Sequence, residues 1–354
     1  MSSRTQGGIS NSLVTKEIHL PTLYEVGIEM TCFSNAVKLF RGHYTRDVPV
    51  RQNRTLIFMS TYTSYRLAQL VSQRLPRRFA YWVGLRIADR FFARDQQGRR
   101  AVMSNLSRIL ESQGTHASEE SLRQMARRNF QYFGKYLVDF FRFSRFQLKD
   151  VHRLVSMEHL EYLEEAERLG QGVVLITAHL GNWELGAAIL SSLGRRLSAV
   201  YFPQRASKIN ELFQKHRSQR GIHLIPFGHA ARGVLKALKN KEHVAMLADR
   251  DYTTHHDEPI LFFGRPARLP SGPARIAIKT GCPVVPTFLV RQEDDTFRLR
   301  FHPPIIPTPK MSVEQMRLRV RDALESEIAR NPLQWFMFDD FWELRNHHEP
   351  SRNP

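Results

Sequence analysis

The chain has 354 residues, 42% of them hydrophobic, so it is long enough to bury a sizeable core and too apolar to default to disorder. Its 52 Lys and Arg outnumber 34 Asp and Glu, leaving a formal charge of +18 that calls for an anionic partner: nucleic acid, a phospholipid surface or an acidic protein. Two cysteines, Cys32 and Cys282, exclude a disulfide framework or a zinc ribbon and fit a reducing, cytosolic exposure.

Residues 1–54 mix Gly, Ser, Pro and charge without steady periodicity and read as a tail. Glu17, His19, Glu25 and Glu29 interrupt any basic-then-apolar leader pattern. No stretch approaches the roughly 20 apolar residues a spanning helix requires, so any membrane contact is expected at the surface.

Residues 55–150 read as a helical region. In "YRLAQLVSQRLPRRFAYWVGLRIADRFFARDQQGRR" apolar residues recur at helix spacing with Arg between them, and Pro76 divides the run. Ser118 and Glu119 cap a further helix with an aromatic face of Phe130, Phe133, Tyr136, Phe140 and Phe141. The arginine-rich helices around 66–100 are either a solvated face or an interfacial membrane surface; the apolar opposite face favours the second.

From Val151 to the C-terminus the rhythm is strand and helix in alternation. Strand-like runs are "GVVLITA", "LSAVYF", "HVAMLA", "PVVPTFLV" and "FRLRFH". Helices are expected at about 184–193, 205–220, 229–240, 270–280 and 312–330. This spacing predicts an α/β fold: a mixed, mostly parallel central sheet flanked by helices, forming one domain with the preceding helical region. Sites in such sheets collect beyond the carboxyl ends of strands.

"GVVLITAHLGNWELGAAIL" places His179 at such an end. Glu184 follows five residues later, too far round a continuous helix to face it. The pair can meet only if "LGN" forms a loop, with Gly181 relaxing the backbone and Asn182 capping the next helix. The carboxylate then reaches one imidazole nitrogen and leaves the other as a base, with no Ser or Cys nucleophile in an elbow nearby. The plainer alternative is a histidine capping a strand end and a first-turn helix acid. His255, His256 and Asp257 are consecutive, which suits a polar loop better than a metal site. Arg265 reads as a solvated loop charge; Trp335, Phe336, Phe338, Phe341 and Trp342 are either an acyl-chain surface or a segment packed on the core, and the second is favoured. The arginines gather into no nucleic-acid reader motif, so no nucleic acid is expected.

"TAHLGNWELGA" resembles the H-x4-D/E block of bacterial lipid acyltransferases, the group holding the late lauroyl and myristoyl lipid A acyltransferases and the phosphatidylinositol mannoside acyltransferases. The helical run above with "RRAVMSNLSRIL", the block "LADRDY…FFGRPARLPSGPARIAIKTGCPVVPTFLV" and the closing "NPLQWFMFDDFWE" are similar to that family in the same order, from about residue 60 to 343. The resemblance implies a glycerolipid-acyltransferase-like fold and an O-acyltransferase that uses His179 as base and Glu184 as the acid orienting it. It implies substrate-side roles for Arg205, Asp249, Arg250, Arg268 and Gly272, with Arg205 the poorest match. It further implies no bound cofactor, acyl carrier protein or coenzyme A thioester as donor, a membrane glycolipid as acceptor, and a peripheral position on an anionic membrane surface, the cytoplasmic face of the bacterial inner membrane. Backbone N–H groups near Gly181, or Arg268, are the expected oxyanion donors. The same dyad acting on water would make a thioesterase or lipid esterase.

Overall fold

The computed structural model describes residues 69–142, 148–201, 211–227, 230–251 and 258–342, apart from 71, 212–213, 216 and 219. Arg205, the His255–His256–Asp257 run and the 1–54 tail therefore lie outside the described residues.

Residues 69–70 and 72–74 are helical, and three longer helices follow: α1 (Arg77–Arg94), α2 (Gln96–Ser112) and α3 (Glu119–Arg142). Pro76 sits at the N-cap of α1, where a missing N–H costs nothing. The sequence pattern carried one helix through Asp95; instead Asp95 ends α1, and its carboxylate accepts the Gly98 N–H at 2.9 Å to start α2. Ser118 caps α3 as expected, its hydroxyl accepting the Ser121 N–H at 3.3 Å.

The α/β part then runs α4 (Leu148–Leu154), β1 (Val155–Glu158), α5 (Leu160–Arg168), β2 (Val173–Thr177), α6 (Trp183–Ser192), β3 (Leu197–Tyr201), β4 (Ile222–Pro226), α7 (Ala230–Lys239), β5 (His243–Leu247), β6 (Ile260–Phe262), β7 (Arg265–Ala267), α8 (Gly272–Thr280), β8 (Val284–Arg291), β9 (Phe297–Phe301) and α9 (Val313–Arg330). A 3₁₀ turn at Pro332–Gln334 follows. The seven-stranded sheet has the order β1-β9-β8-β2-β5-β3-β4. β8, β2, β5, β3 and β4 are mutually parallel; β9 runs against β8, and β1 follows β9. This is the mixed, mostly parallel sheet the alternation predicts. β1 and β4 escaped the sequence reading because "VSME" and "IHLIP" are short and not apolar throughout, as edge strands need not be.

Burial explains the strand sequences. β8 is buried at all eight positions, as a strand covered on both faces must be. β2 sends Val174 and Ile176 to one face, with Val234, Ala277 and Leu324 of α7, α8 and α9, and Val173 and Leu175 to the other, with Leu163 of α5 and Ile189 of α6. β9 alternates: Phe297, Leu299 and Phe301 face the core, while Arg300 reaches the carboxylates of Glu158 and Glu327. A third cluster joins α1–α3 to Phe336 and Phe338, so the closing aromatic segment packs on the core as expected. Among the described residues no helix is long and apolar enough to cross a membrane.

Candidate active site

The site forms where β2 and β5 stop. These neighbours are parallel and in a register that pairs Thr177 with Leu247. Two residues further on, the same register brings His179 level with Asp249. The Ala248 N–H bonds the Thr177 carbonyl at 2.9 Å, so the two strand ends stay tied as they leave the sheet.

Asp249 is 0% exposed and grips His179 twice. One carboxylate oxygen accepts from imidazole Nδ1 at 2.9 Å; the other accepts the His179 backbone N–H at 3.0 Å and Trp335 Nε1–H at 3.0 Å. This corrects two expectations. The acid hydrogen-bonded to His179 is Asp249 rather than Glu184, and Asp249, expected on the substrate side, is instead buried with both oxygens engaged inside the protein. Glu184 instead takes Arg217, whose Nε and Nη2 reach its two oxygens at 2.5–3.1 Å. The reason is geometric: α6 begins only at Trp183, so Glu184 lies on its first turn beside Arg217, while the strand register delivers Asp249 directly to the ring.

Gly181 makes the loop possible in a way only glycine allows. Its φ is +62°, and a Cβ there would run into the Leu289 carbonyl oxygen. The chain is stitched on both sides: Gly181 N–H to the Gln334 carbonyl at 2.9 Å, Asn182 N–H to the Leu289 carbonyl at 2.7 Å, and Phe336 N–H to the His179 carbonyl at 2.8 Å. The Gly181 and Asn182 amides are thus already bonded within the protein, which removes them as the expected oxyanion donors. Asn182 does cap α6, accepting the Leu185 N–H at 3.2 Å.

His179 has a side chain 10% exposed, with Trp183 edge-on at 5.1 Å and Tyr136 stacked behind Trp183 at 4.6 Å. Burial pushes the imidazole below its ordinary value, the nearby Arg250 guanidinium adds to this, and Asp249 opposes both. Burial raises the Asp249 carboxyl, but His179 and Arg250 together hold it well below the usual carboxylate range. Burial favours a neutral ring beside an ionised acid; Nδ1 faces the Asp249 carboxylate, and Nε2 is the ring nitrogen that the acid does not engage.

Arg250 donates to the Phe336 carbonyl at 2.5 Å and belongs to this cluster. Arg268 is exposed, and neither it nor Gly272 hydrogen-bonds to His179. A Cβ on Gly272 would meet Met246 of β5 at 4.0 Å, an ordinary van der Waals contact. Sequence reasoning missed two partners. Arg217 carries no motif. Trp335 reads in the sequence only as an apolar side chain, and nothing there marks its indole N–H as a partner of Asp249. No group of three or more metal-ligating side chains stands together among the described residues.

Three comparisons of sequence place the chain. It is 25% identical to the phosphatidylinositol mannoside acyltransferase of Mycobacterium tuberculosis (strain CDC 1551 / Oshkosh) over 285 residues, 79% of this chain and 87% of that protein. It is 25% identical over 226 residues, 62% of this chain and 71% of the relative, to the lipid A biosynthesis palmitoleoyltransferase of Escherichia coli (strain K12). The model of the bacterial lipid A biosynthesis acyltransferase family matches residues 54–343. With most of its length inside that match, and with a buried acid–histidine pair at the carboxyl edge of its sheet, the chain belongs to the bacterial lipid A biosynthesis acyltransferase family and is an acyltransferase.

Proposed function

We propose that this acyltransferase moves a fatty acyl group from an acyl thioester to a hydroxyl of a membrane glycolipid, an acceptor of the lipid A precursor or phosphoinositol mannoside type, with His179 as general base. The observation that carries the reading is the imidazole held through Nδ1 by a fully buried carboxylate. Nε2 takes the proton from the acceptor hydroxyl as its oxygen bonds to the thioester carbonyl carbon. The C–S bond then breaks, and the departing thiolate recovers the proton from the imidazolium. Asp249 keeps the tautomer and steadies the cation, which in such a triad-like arrangement supplies about 10²–10⁴-fold of rate. Glu184 serves by fixing Arg217 beside the site.

The names of the relatives support the glycolipid acceptor. Acyl carrier protein or coenzyme A is the proposed donor, and the charge of +18 suits either anionic carrier as well as the cytoplasmic face of the inner membrane. Arg250 and Arg268 are the proposed substrate-side cations, with Gly272 the proposed substrate-side glycine at the start of α8. The test is product partition: purified protein with acyl thioester, with and without glycolipid, followed by mass spectrometry. Acylated lipid formed only in the presence of acceptor supports transfer. Free fatty acid at the same rate in both arms refutes transfer and makes the protein a thioesterase.

A further inference from the structure

Six large hydrophobic side chains are well exposed among the described residues, and three of them fall within a short stretch around the start of α1: Leu70 at 51%, Phe79 at 49% and Trp82 at 55%. Phe79 and Trp82 are stacked at 5.4 Å, so they form one apolar surface and not two scattered residues. At about 100° per residue, Arg78, Arg86 and Arg90 fall on the same exposed side of the helix. Arg78 and Arg90 make no ion pair among the described residues, and Arg86 meets Asp89 at 3.2 Å. Solvated aromatic rings flanked by arginines are the composition of a helix that lies in a lipid headgroup layer.

The other side of α1 is fixed to the catalytic edge of the sheet. The Tyr81 hydroxyl donates to Asp139 at 2.7 Å and accepts from Arg291 at 2.9 Å, at the last residue of β8. Arg291 also pairs with Asp139. Gln334 clasps the Arg291 backbone, accepting its N–H at 2.9 Å and donating to its carbonyl at 2.8 Å, and the Gln334 carbonyl accepts the Gly181 N–H beside His179. Because β8 is parallel to β2, Arg291 ends on the same edge as His179.

We infer that the Phe79–Trp82 face of α1 docks the enzyme on an anionic phospholipid bilayer, with the arginines on phosphate headgroups and the two rings among them. The Tyr81–Arg291–Gln334 chain then holds the carboxyl edge carrying His179 in a fixed relation to the membrane surface. This rests on the proposed membrane acceptor, and it adds the surface that meets the membrane and the headgroup charge it selects.

The test uses the full chain and vesicles of phosphatidylcholine with and without phosphatidylglycerol. Sedimentation is expected only with the anionic lipid. An Arg78→Gln/Arg86→Gln/Arg90→Gln variant should bind about 100-fold more weakly, at about fivefold per arginine. Phe79→Ser/Trp82→Ser should lose sedimentation while turning over detergent-dispersed acceptor at the wild-type rate. Trp82 emission, taken as wild type minus Trp82→Phe, should move to shorter wavelength on adding anionic vesicles. Wild-type sedimentation by the double serine variant overturns the inference. So does Trp82 emission already at short wavelength in buffer and unchanged by lipid, because a second copy or residues 1–68 would then cover the face. Vesicle binding as described without any acyl transfer would sink the proposed reaction and leave the docking surface standing.

Discussion

Asp249→Asn is the substitution whose outcome the geometry dictates most closely. One carboxylate oxygen accepts from His179 Nδ1, the other from the His179 backbone N–H and from Trp335 Nε1. An amide offers one oxygen and one NH₂, so one of these places must face a donor. Turning the NH₂ toward the backbone N–H and the indole N–H leaves two buried donors opposed, at about 1–3 kcal/mol each. Turning it toward Nδ1 preserves both of those bonds and requires only that the imidazole move its proton to Nε2. The second arrangement therefore wins, and it places a proton where the acceptor hydroxyl must deliver one. The rate of acyl transfer should fall by about 10²–10⁴-fold, or about 3–5 kcal/mol of barrier, with little loss of stability. Quenched-flow formation of acylated lipid, read by mass spectrometry beside a thermal unfolding curve, measures both. A folded Asp249→Asn enzyme within a few-fold of wild type across the pH range would refute the reasoning.

Burial and Arg250 depress the His179 pKa below 6.5, so the acid limb of kcat/KM should have its midpoint below that value, and Arg250→Met should move the midpoint upward. The unfolded histidine binds a proton before the folded one does, so this group's stabilising contribution is whole above pH 6.5 and declines as pH falls toward the lower folded pKa, which acid unfolding monitored by circular dichroism would follow. Glu184→Gln should lower stability by about 1–3 kcal/mol through the Arg217 pair, while the acid limb stays nearly in place, because Glu184 acts on the ring only as a weak charge; a large shift of that limb would return Glu184 to the role Asp249 holds. Gly181→Ala should cost about 3 kcal/mol or more in thermal unfolding, since both its positive φ and the Leu289 carbonyl oppose a side chain, and an unchanged unfolding temperature would contradict the loop geometry.

The rhythm of apolar runs in the α/β part was enough to foretell the parallel core of the sheet, and "GVVLITA" followed by "HLGN" was enough to put a histidine past a strand end. The acid that serves it was not legible. Glu184 is close in sequence and Asp249 lies 70 residues away, joined to His179 only by the choice of β5 as the neighbour of β2. Two strands of equal length, each ending two residues before a polar side chain, held the clue, but strand order is a tertiary fact that periodicity does not encode. Arg217 is invisible for the same reason, because its partner is set by packing. The weak edge strands β1 and β4 are lost to their polar positions, and Asp95 divides a continuous apolar pattern by capping, which periodicity alone does not register.

The most direct test of the central claim is the rate of ester formation on a dispersed glycolipid acceptor by His179→Ala, compared with wild type at the same folded concentration. A fall of about 10²–10⁴-fold, with the variant still folded at the assay temperature and vesicle binding unchanged, is the predicted result. Ester formation by that variant at the wild-type rate would show that some other group takes the proton, and would contradict the account.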